Sequence, residues 1–282
     1  MKQNALEFLQ YGTVNKEVLA EVFAPMIDNV MKSTLSTVLK NTNGSGDPQG
    51  GSMVFTRMSN SDSQPYGTAR SAQGGETLEF SKVTVYLDTD REIVNEAESK
   101  DLALYTISEV LGRKRISNEK SMVRELERAF FQVAIDGGTK YTPTATTVEG
   151  IIEELILAVE TTENDFIDGI DRDMLAIVCS PAYYSELRTK LDTMYNTGIN
   201  VGTAGIPMFH GVEIYSSIYL PADIDAIVMA KGAIAEPVKI NDFNASKVPF
   251  SNAYTIELYY SYGVGTVMPD LIQYVGDYTP SV

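Results

Sequence analysis

The stretch from Gly51 to Thr89 constrains this chain more than any other. Two extended runs, Ser52 to Met58 and Leu78 to Leu87, are rich in the β-branched and aromatic residues that strands favour. Between them Ser59 to Glu76 is almost wholly Ser, Asn, Gly, Gln, Thr and Ala. A tip of that length exceeds the two to five residues or so of an ordinary hairpin loop, and loops this long are usually functional or disordered. A two-stranded ribbon is marginally stable alone in water. It needs a surface to lie on, and the expected surface is a neighbouring copy of the chain. The apolar parity of the second run changes between Phe80 and Val83, which predicts a bulge near Ser81 and Lys82.

The rest of the chain reads as an ordinary globular protein. Its 282 residues give a prior of about two domains, and 44% hydrophobic with 21% charged content is typical. No apolar run approaches the roughly 18 residues of a membrane span. The start, from Met1 to Gln10, carries charges within its apolar periodicity and no small-residue cleavage site, so it reads as cytoplasmic rather than as a signal peptide. A net charge of -16 argues against direct nucleic-acid binding, which needs a basic patch, but is compatible with enclosing DNA without adhering to it.

Candidate chemistry is sparse. The single cysteine, Cys179, ends the apolar run from Met174 and reads as a small buried hydrophobe. The single histidine, His210, sits in a turn-like stretch from Pro207 to Gly211. Glu149 to Asp173 holds nine acidic residues and one basic residue. Asp165, Asp168, Asp171 and Asp173 lack the ligand order and closing glutamate of a calcium loop, so a solvated acidic loop is expected. No phosphate-binding glycine motif occurs, and no cofactor or metal is expected. A hydrolase using Cys179 or the Asp165 to Asp173 carboxylates is the reading from another class.

In chain order, residues 1 to 42 form an arm with a helical stripe from Val18 to Val30, capped by Asn15 and interrupted at Pro25. Asn41 to Gly51 reads as a flexible junction. Ile93 to Leu111 reads as a mixed helical segment, followed by a helix over 118–136, capped by Ser117 or Asn118. Its apolar face is Met122, Leu126, Ala129, Phe130 and Val133; Lys120, Arg124, Glu125, Glu127 and Arg128 form the other, solvated or subunit-facing side. Thr146 with Glu149 resembles a capping box for a helix through Val159. A buried strand from Met174 to Cys179 and a helix from Ala182 to Leu191, begun by Ser180 and Pro181, follow. A Gly-rich loop occupies 192–205, and strands then dominate, ending in Tyr254 to Tyr262 with Tyr254, Ile256, Leu258, Tyr260 and Tyr262 on one face. The class is α+β with mixed sheets.

This order of parts resembles the major capsid protein of tailed bacteriophages, the Hong Kong 97-type fold. The likeness rests on the arm and Gly-rich hairpin at 1–89 and the long helix ending in Phe130 to Gly137. It also rests on Gly205 to Ser217, Leu220 and Pro221, Asp225 to Lys231, and Tyr262 to Asp270. The resemblance implies an N-terminal arm at 1–45 and an extended loop at 46–90. It implies a peripheral domain at 91–145 and 232–265 with a spine helix at 118–136, an axial domain at 146–231, and a C-terminal return at 266–282. Subunit contacts would come from the loop tip at Gln64, Pro65, Tyr66, Gly67, Arg70, Gly74 and Gly75. The axial tip at Tyr195, Asn196, Gly198, Asn200 and Gly202, and Arg124 and Arg128 on the spine, would supply others.

The implied function is assembly of pentamers and hexamers into an icosahedral phage head around double-stranded DNA, formed in a bacterial host cytoplasm. Portal, minor capsid and separate scaffolding proteins would be partners. The hairpin begins near residue 51, so no scaffolding segment of the kind some members carry is expected ahead of it. Residues 59–76 contain no lysine, and Lys82 lies back on the strand, so the lysine-to-asparagine crosslink of some members is not expected. An encapsulin shell of the same fold and a phage tail or baseplate protein are the neighbouring alternatives.

Overall fold

The computed structural model describes residues 26–61, 63, 65–67, 79–98, 107–193, 208–251 and 253–277. Of the expected arm stripe, the described part is helix α1, Met26–Ser33, which buries Met26 and Val30 one turn apart; the earlier part, with Asn15 and Val18, lies outside the described residues. A single turn, α2, follows at Ser36–Leu39. The junction is ordered rather than flexible. Asp47 Oδ1 accepts from the Gln49 N–H at 2.9 Å to start a short turn at Pro48–Gly50, and Ser45 bridges to Val54.

Strands β1, Ser52–Met58, and β2, Phe80–Tyr86, pair antiparallel in unbroken register from Ser52 with Tyr86 to Met58 with Phe80. The expected bulge is absent. Phe80 keeps the regular parity and points to the exposed face, while Ser81, Val83 and Val85 share the inner one.

Of the mixed helical segment expected over Ile93 to Leu111, residues 93–98 instead belong to β3, Thr89–Glu98, residues 99–106 lie outside the described residues, and 107–111 are helical. The composition of β3 from Ile93 favours helix locally, but a ten-residue antiparallel ladder with the last long strand overrides that preference. Helix α3 then runs Ile107–Gly137, about 46 Å at ~1.5 Å per residue, so Ser117 and Asn118 are interior positions rather than caps. Asn118 is buried and its side-chain carbonyl accepts from Asn95 Nδ2 at 3.2 Å, tying α3 to β3.

After β4, Thr139–Lys140, helix α4 spans Val148–Glu160. Its cap is Thr147, one residue beyond the expected box, with Oγ1 accepting from the Gly150 N–H at 3.3 Å. A small hairpin, β5 at Glu163–Asn164 and β6 at Ile167–Asp168, leads to β7, Leu175–Cys179, which is wholly buried as its apolar run predicts. Helix α5, Pro181–Thr193, starts with Ser180 Oγ accepting from the Tyr183 N–H.

Strands β8, Met208–Phe209, and β9, Val212–Ser216, flank a two-residue turn in which His210 and Gly211 both take positive φ, 46° and 93°, as tight hairpins require. The chain finishes with β10 at Ile224–Ala230, β11 at Ile234–Ala235, β12 at Val238–Lys247, β13 at Ala253–Tyr262, β14 at Gly265–Thr266 and β15 at Ile272–Gly276.

Two larger sheets organise these elements. One is mixed and six-stranded, in the order β4-β15-β10-β7-β9-β8. Phe130, Phe131 and Ile135 of α3 and Ile152, Leu155 and Ile156 of α4 belong to the same core as its central strands. The other is β12-β13-β3, where Ile256, Leu258, Tyr260 and Tyr262 are buried, in line with the expected alternation. The side chain of Tyr254 lies outside the described set.

Candidate subunit interface

The inner face of the β1–β2 ribbon rests on its own chain. Phe55 and Val85 are 3% and 4% exposed and cluster with Ala235 and Val267, flanked by Met53 and Val83. This corrects the expectation that a neighbouring copy must supply the whole supporting surface. Gly263 makes the fit possible, because a Cβ there would stand 1.9 Å from the Tyr86 carbonyl oxygen. The outer face stays open, with Met58 56%, Phe80 53% and Tyr86 63% exposed.

Where the ribbon leaves the body it is clamped. Arg57 Nη1 and Nη2 donate to the two oxygens of Asp270, each at 2.7 Å. Asn164 Nδ2 donates to Asp270 Oδ2 at 2.6 Å, and the guanidinium lies 5.0 Å from the centre of the Phe166 ring. The Asn60 N–H donates to the Asp165 carbonyl at 2.9 Å. Burial pushes the Asp270 carboxyl upward, but the bonds from Arg57 and Asn164 outweigh it and hold the group below its ordinary value. Two parallel charge-assisted bonds fix direction as well as energy, so the clamp sets the angle at which the ribbon projects.

The acidic segment expected to be solvated thus has a structural task at Asn164 to Phe166. Its one basic residue also neutralises part of it: Arg172 Nη2 lies 2.8 Å from Glu153 Oε1 and 3.0 Å from Glu160 Oε2. Among the described residues no three His, Cys, Asp or Glu side chains are grouped to hold a metal ion, and no helix is long and apolar enough to cross a membrane.

Of the expected loop-tip residues, Pro65, Tyr66 and Gly67 are exposed, Tyr66 to 95%. Gln64, Arg70, Gly74 and Gly75 lie outside the described residues, as do all five axial-tip residues, Tyr195, Asn196, Gly198, Asn200 and Gly202. Arg124 and Arg128 are exposed on α3, and Arg124 Nη2 donates to Ser121 Oγ at 3.3 Å. Glu125 accepts from Tyr262 Oη at 3.0 Å and pairs with Arg91 at 2.7 Å. Glu127, expected on the same solvated face, is buried.

The two candidate nucleophile or base residues are not poised for catalysis. Cys179 is fully buried, and burial together with Asp225 pushes its thiol up to about 12, which keeps it protonated. His210 is exposed, with Nδ1 2.8 Å from Glu153 Oε2, and its ring stacks on Phe209 at 4.2 Å.

No family profile and no curated protein matches the sequence. The fold, however, has many solved counterparts. A structure from Mycobacterium phage Che8 aligns with a TM-score of 0.60 at 17% identity, covering 80% of this chain and 84% of that one. The capsid of cyanophage P-SCSP1u aligns with a TM-score of 0.61 at 13% identity, covering 88% and 89%. A virus-like particle from Pyrococcus furiosus aligns at 0.55 and 14% identity, covering 92% and 98%. These likenesses span most of the chain, which has the α+β Hong Kong 97-type capsid fold.

Proposed function

We propose that this protein is the structural major capsid protein of a tailed bacteriophage, assembling as pentamers and hexamers into an icosahedral head that encloses double-stranded DNA. The observation that carries the reading is the likeness to a cyanophage capsid over 88% of this chain and 89% of that one. The ribbon supports it, being clamped at its base and open on an outer face of Met58, Phe80 and Tyr86. Such a face suits a neighbouring copy. The role is structural rather than enzymatic, and the place of work is the virion capsid, built in the host cytoplasm.

In this reading residues 1–45 are the arm, 46–90 the extended loop, 91–145 with 232–265 the peripheral domain, 146–231 the axial domain and 266–282 the C-terminal return. The loop tip from Gln64 to Gly75 reaches the next copy, and 195–202 meets its counterparts around the capsomer axis. Scaffolding, portal and minor capsid proteins act as separate partners. The net charge of -16 fits a shell that encloses DNA without sequence-specific contacts.

Negative-stain microscopy of the purified protein, alone and with its neighbouring gene products, is the test. Closed shells are expected. Rings or open tubes would favour a tail or baseplate protein, and shells filled with cargo protein rather than DNA would favour an encapsulin, the less fitting reading beside so many phage capsids.

A further inference from the structure

Two carboxylates are buried where the N-terminal segment meets α3. Glu127 is 2% and Glu236 3% exposed. Glu127 Oε1 accepts from the backbone N–H groups of Leu35 and Ser36, the latter at 3.2 Å. Glu236 Oε2 accepts from Ser36 Oγ at 2.7 Å and lies 3.8 Å from Lys40 Nζ. Glu127 Oε2 and Glu236 Oε1 are buried with no hydrogen-bond partner.

With both carboxyls ionised the site would hold two negative charges against the single ammonium of Lys40. One bound proton balances it. Farther along α3, Glu119, about two turns before Glu127, faces Arg115 at 3.4 Å and accepts from Asn29 of α1, while Lys120, Arg124 and Arg128 of the same helix are exposed. The chain on the far side of the site is held differently. Gly232 N–H donates to the Leu39 carbonyl and Asn41 N–H to the Ile234 carbonyl, both at 2.7 Å. Residues 39–41 are thus fixed by backbone bonds to the strand side, while in the 34–36 turn the N–H groups of Leu35 and Ser36 are held by Glu127 and the Ser36 hydroxyl by Glu236.

We propose that the buried Glu127–Glu236 pair is a proton-operated latch, which sets how firmly the 34–36 turn, and with it the N-terminal segment, is held on α3. Burial raises both carboxyls, Glu236 up to about 7, and Glu127 adds to the rise at Glu236; Lys40 and Ser36 oppose it. Lys40 is itself lowered by burial despite its proximity to Glu236. Both members of that ion pair are therefore pushed toward neutrality, as expected when desolvation exceeds attraction.

The sign follows. A carboxyl raised in the docked state binds its proton more tightly docked than released. Docking is strongest below the ordinary carboxyl range and weakens as pH rises toward about 7, where the loss levels off. This device regulates the arm and is separate from the assembly reading.

Amide hydrogen exchange over residues 34–40 of the full chain, from about pH 5 to about pH 8 and corrected for intrinsic chemistry, tests it. Opening is expected to rise up to about tenfold per pH unit below about pH 7 and then to flatten, while residues 224–230 show no such trend. The double variant Glu127→Gln with Glu236→Gln should open independently of pH. Lys40→Met, which keeps both carboxyls, should move the plateau to higher pH and serves if the double variant does not fold. A flat profile in the parent, an unchanged slope in the double variant, or an unmoved plateau in Lys40→Met would each overturn the latch. Exchange reads local opening whether or not copies associate, so a failure to form shells would count against the capsid reading alone.

Discussion

Arg57 and Asp270, 213 residues apart in sequence, form a two-pronged ion pair at 2.7 Å that joins the base of the extended ribbon to the turn before β15. Both side chains are mostly shielded from water. Truncating either leaves a partly buried charge without its partner. Arg57→Ala is expected to cost about 1–3 kcal/mol, with hydrogen exchange rising first in β1 and β2. Because Asp270 is held below its ordinary value of 3.8, its contribution is complete above that value and is lost as pH falls through the lowered one. Asp270→Asn should therefore flatten the acid limb of a stability profile against pH. An acid limb identical to that of the parent would argue that the clamp contributes nothing.

The same pair shows where sequence reading stops. β7, α4, α5 and β13 were legible because each carries its own signal: an unbroken apolar run, a 3.6-residue stripe with a cap, a Ser-Pro start, or strict alternation. The clamp has no local signal, since Arg57, Asn164 and Asp270 are ordinary polar residues until the fold brings them together. The part of β3 from Ile93 reads as helix because its Glu96, Ala97 and Glu98 favour helix locally, and only the ladder to β13 decides. Glu127 reads as one of a solvated or subunit-facing set of charges, because nothing in its neighbourhood reveals that the Leu35 and Ser36 N–H groups bind it.

Gly263 is expected to tolerate no side chain. A Cβ would sit 1.9 Å from the Tyr86 carbonyl oxygen and 2.8 Å from its carbonyl carbon, both backbone atoms that cannot rotate away. Gly263→Ala should force the end of β2 off the body and destabilise the protein by about 1–3 kcal/mol, the range for overpacking. Denaturant unfolding would show it as a lowered midpoint with little change in slope. An unchanged midpoint would mean that the contact yields without cost.

Phe250 presents the reverse case. It occupies the turn between β12 and β13 with φ of 60° and a fully exposed ring. Left-handed backbone in a bulky residue costs about 1–3 kcal/mol, and no burial offsets it within the chain. Phe250→Gly should therefore stabilise the isolated subunit by about 1 kcal/mol, reduced somewhat because glycine also gains freedom in the unfolded state. Equilibrium unfolding of the unassembled subunit is the measurement, and a destabilised variant would show that the ring has a role within the chain.

The ribbon tip separates folding from assembly. Ser59 N–H donates to the Glu79 carbonyl at 2.9 Å, so the strands remain paired up to that point. Removing residues 60–74 would leave Gly75 to Leu78 to close the hairpin, a four-residue loop of ordinary length. Within the chain the deletion removes the Asn60 to Asp165 bond, about 1 kcal/mol, while the Phe55 and Val85 cluster and the Arg57 clamp remain. The subunit should stay soluble and folded, with a circular dichroism spectrum and melting temperature close to those of the parent. If the tip reaches the next copy as proposed, stable shells should not form, because that reach is gone while the outer face of Met58 and Phe80 is left without its continuation. Residues 59–76 contain no lysine, so a noncovalent reach is expected, and parent particles boiled in reducing detergent should run as single chains rather than as a ladder. Normal particles from the deletion would show that the tip is dispensable and that shell contacts reside in the body of the subunit.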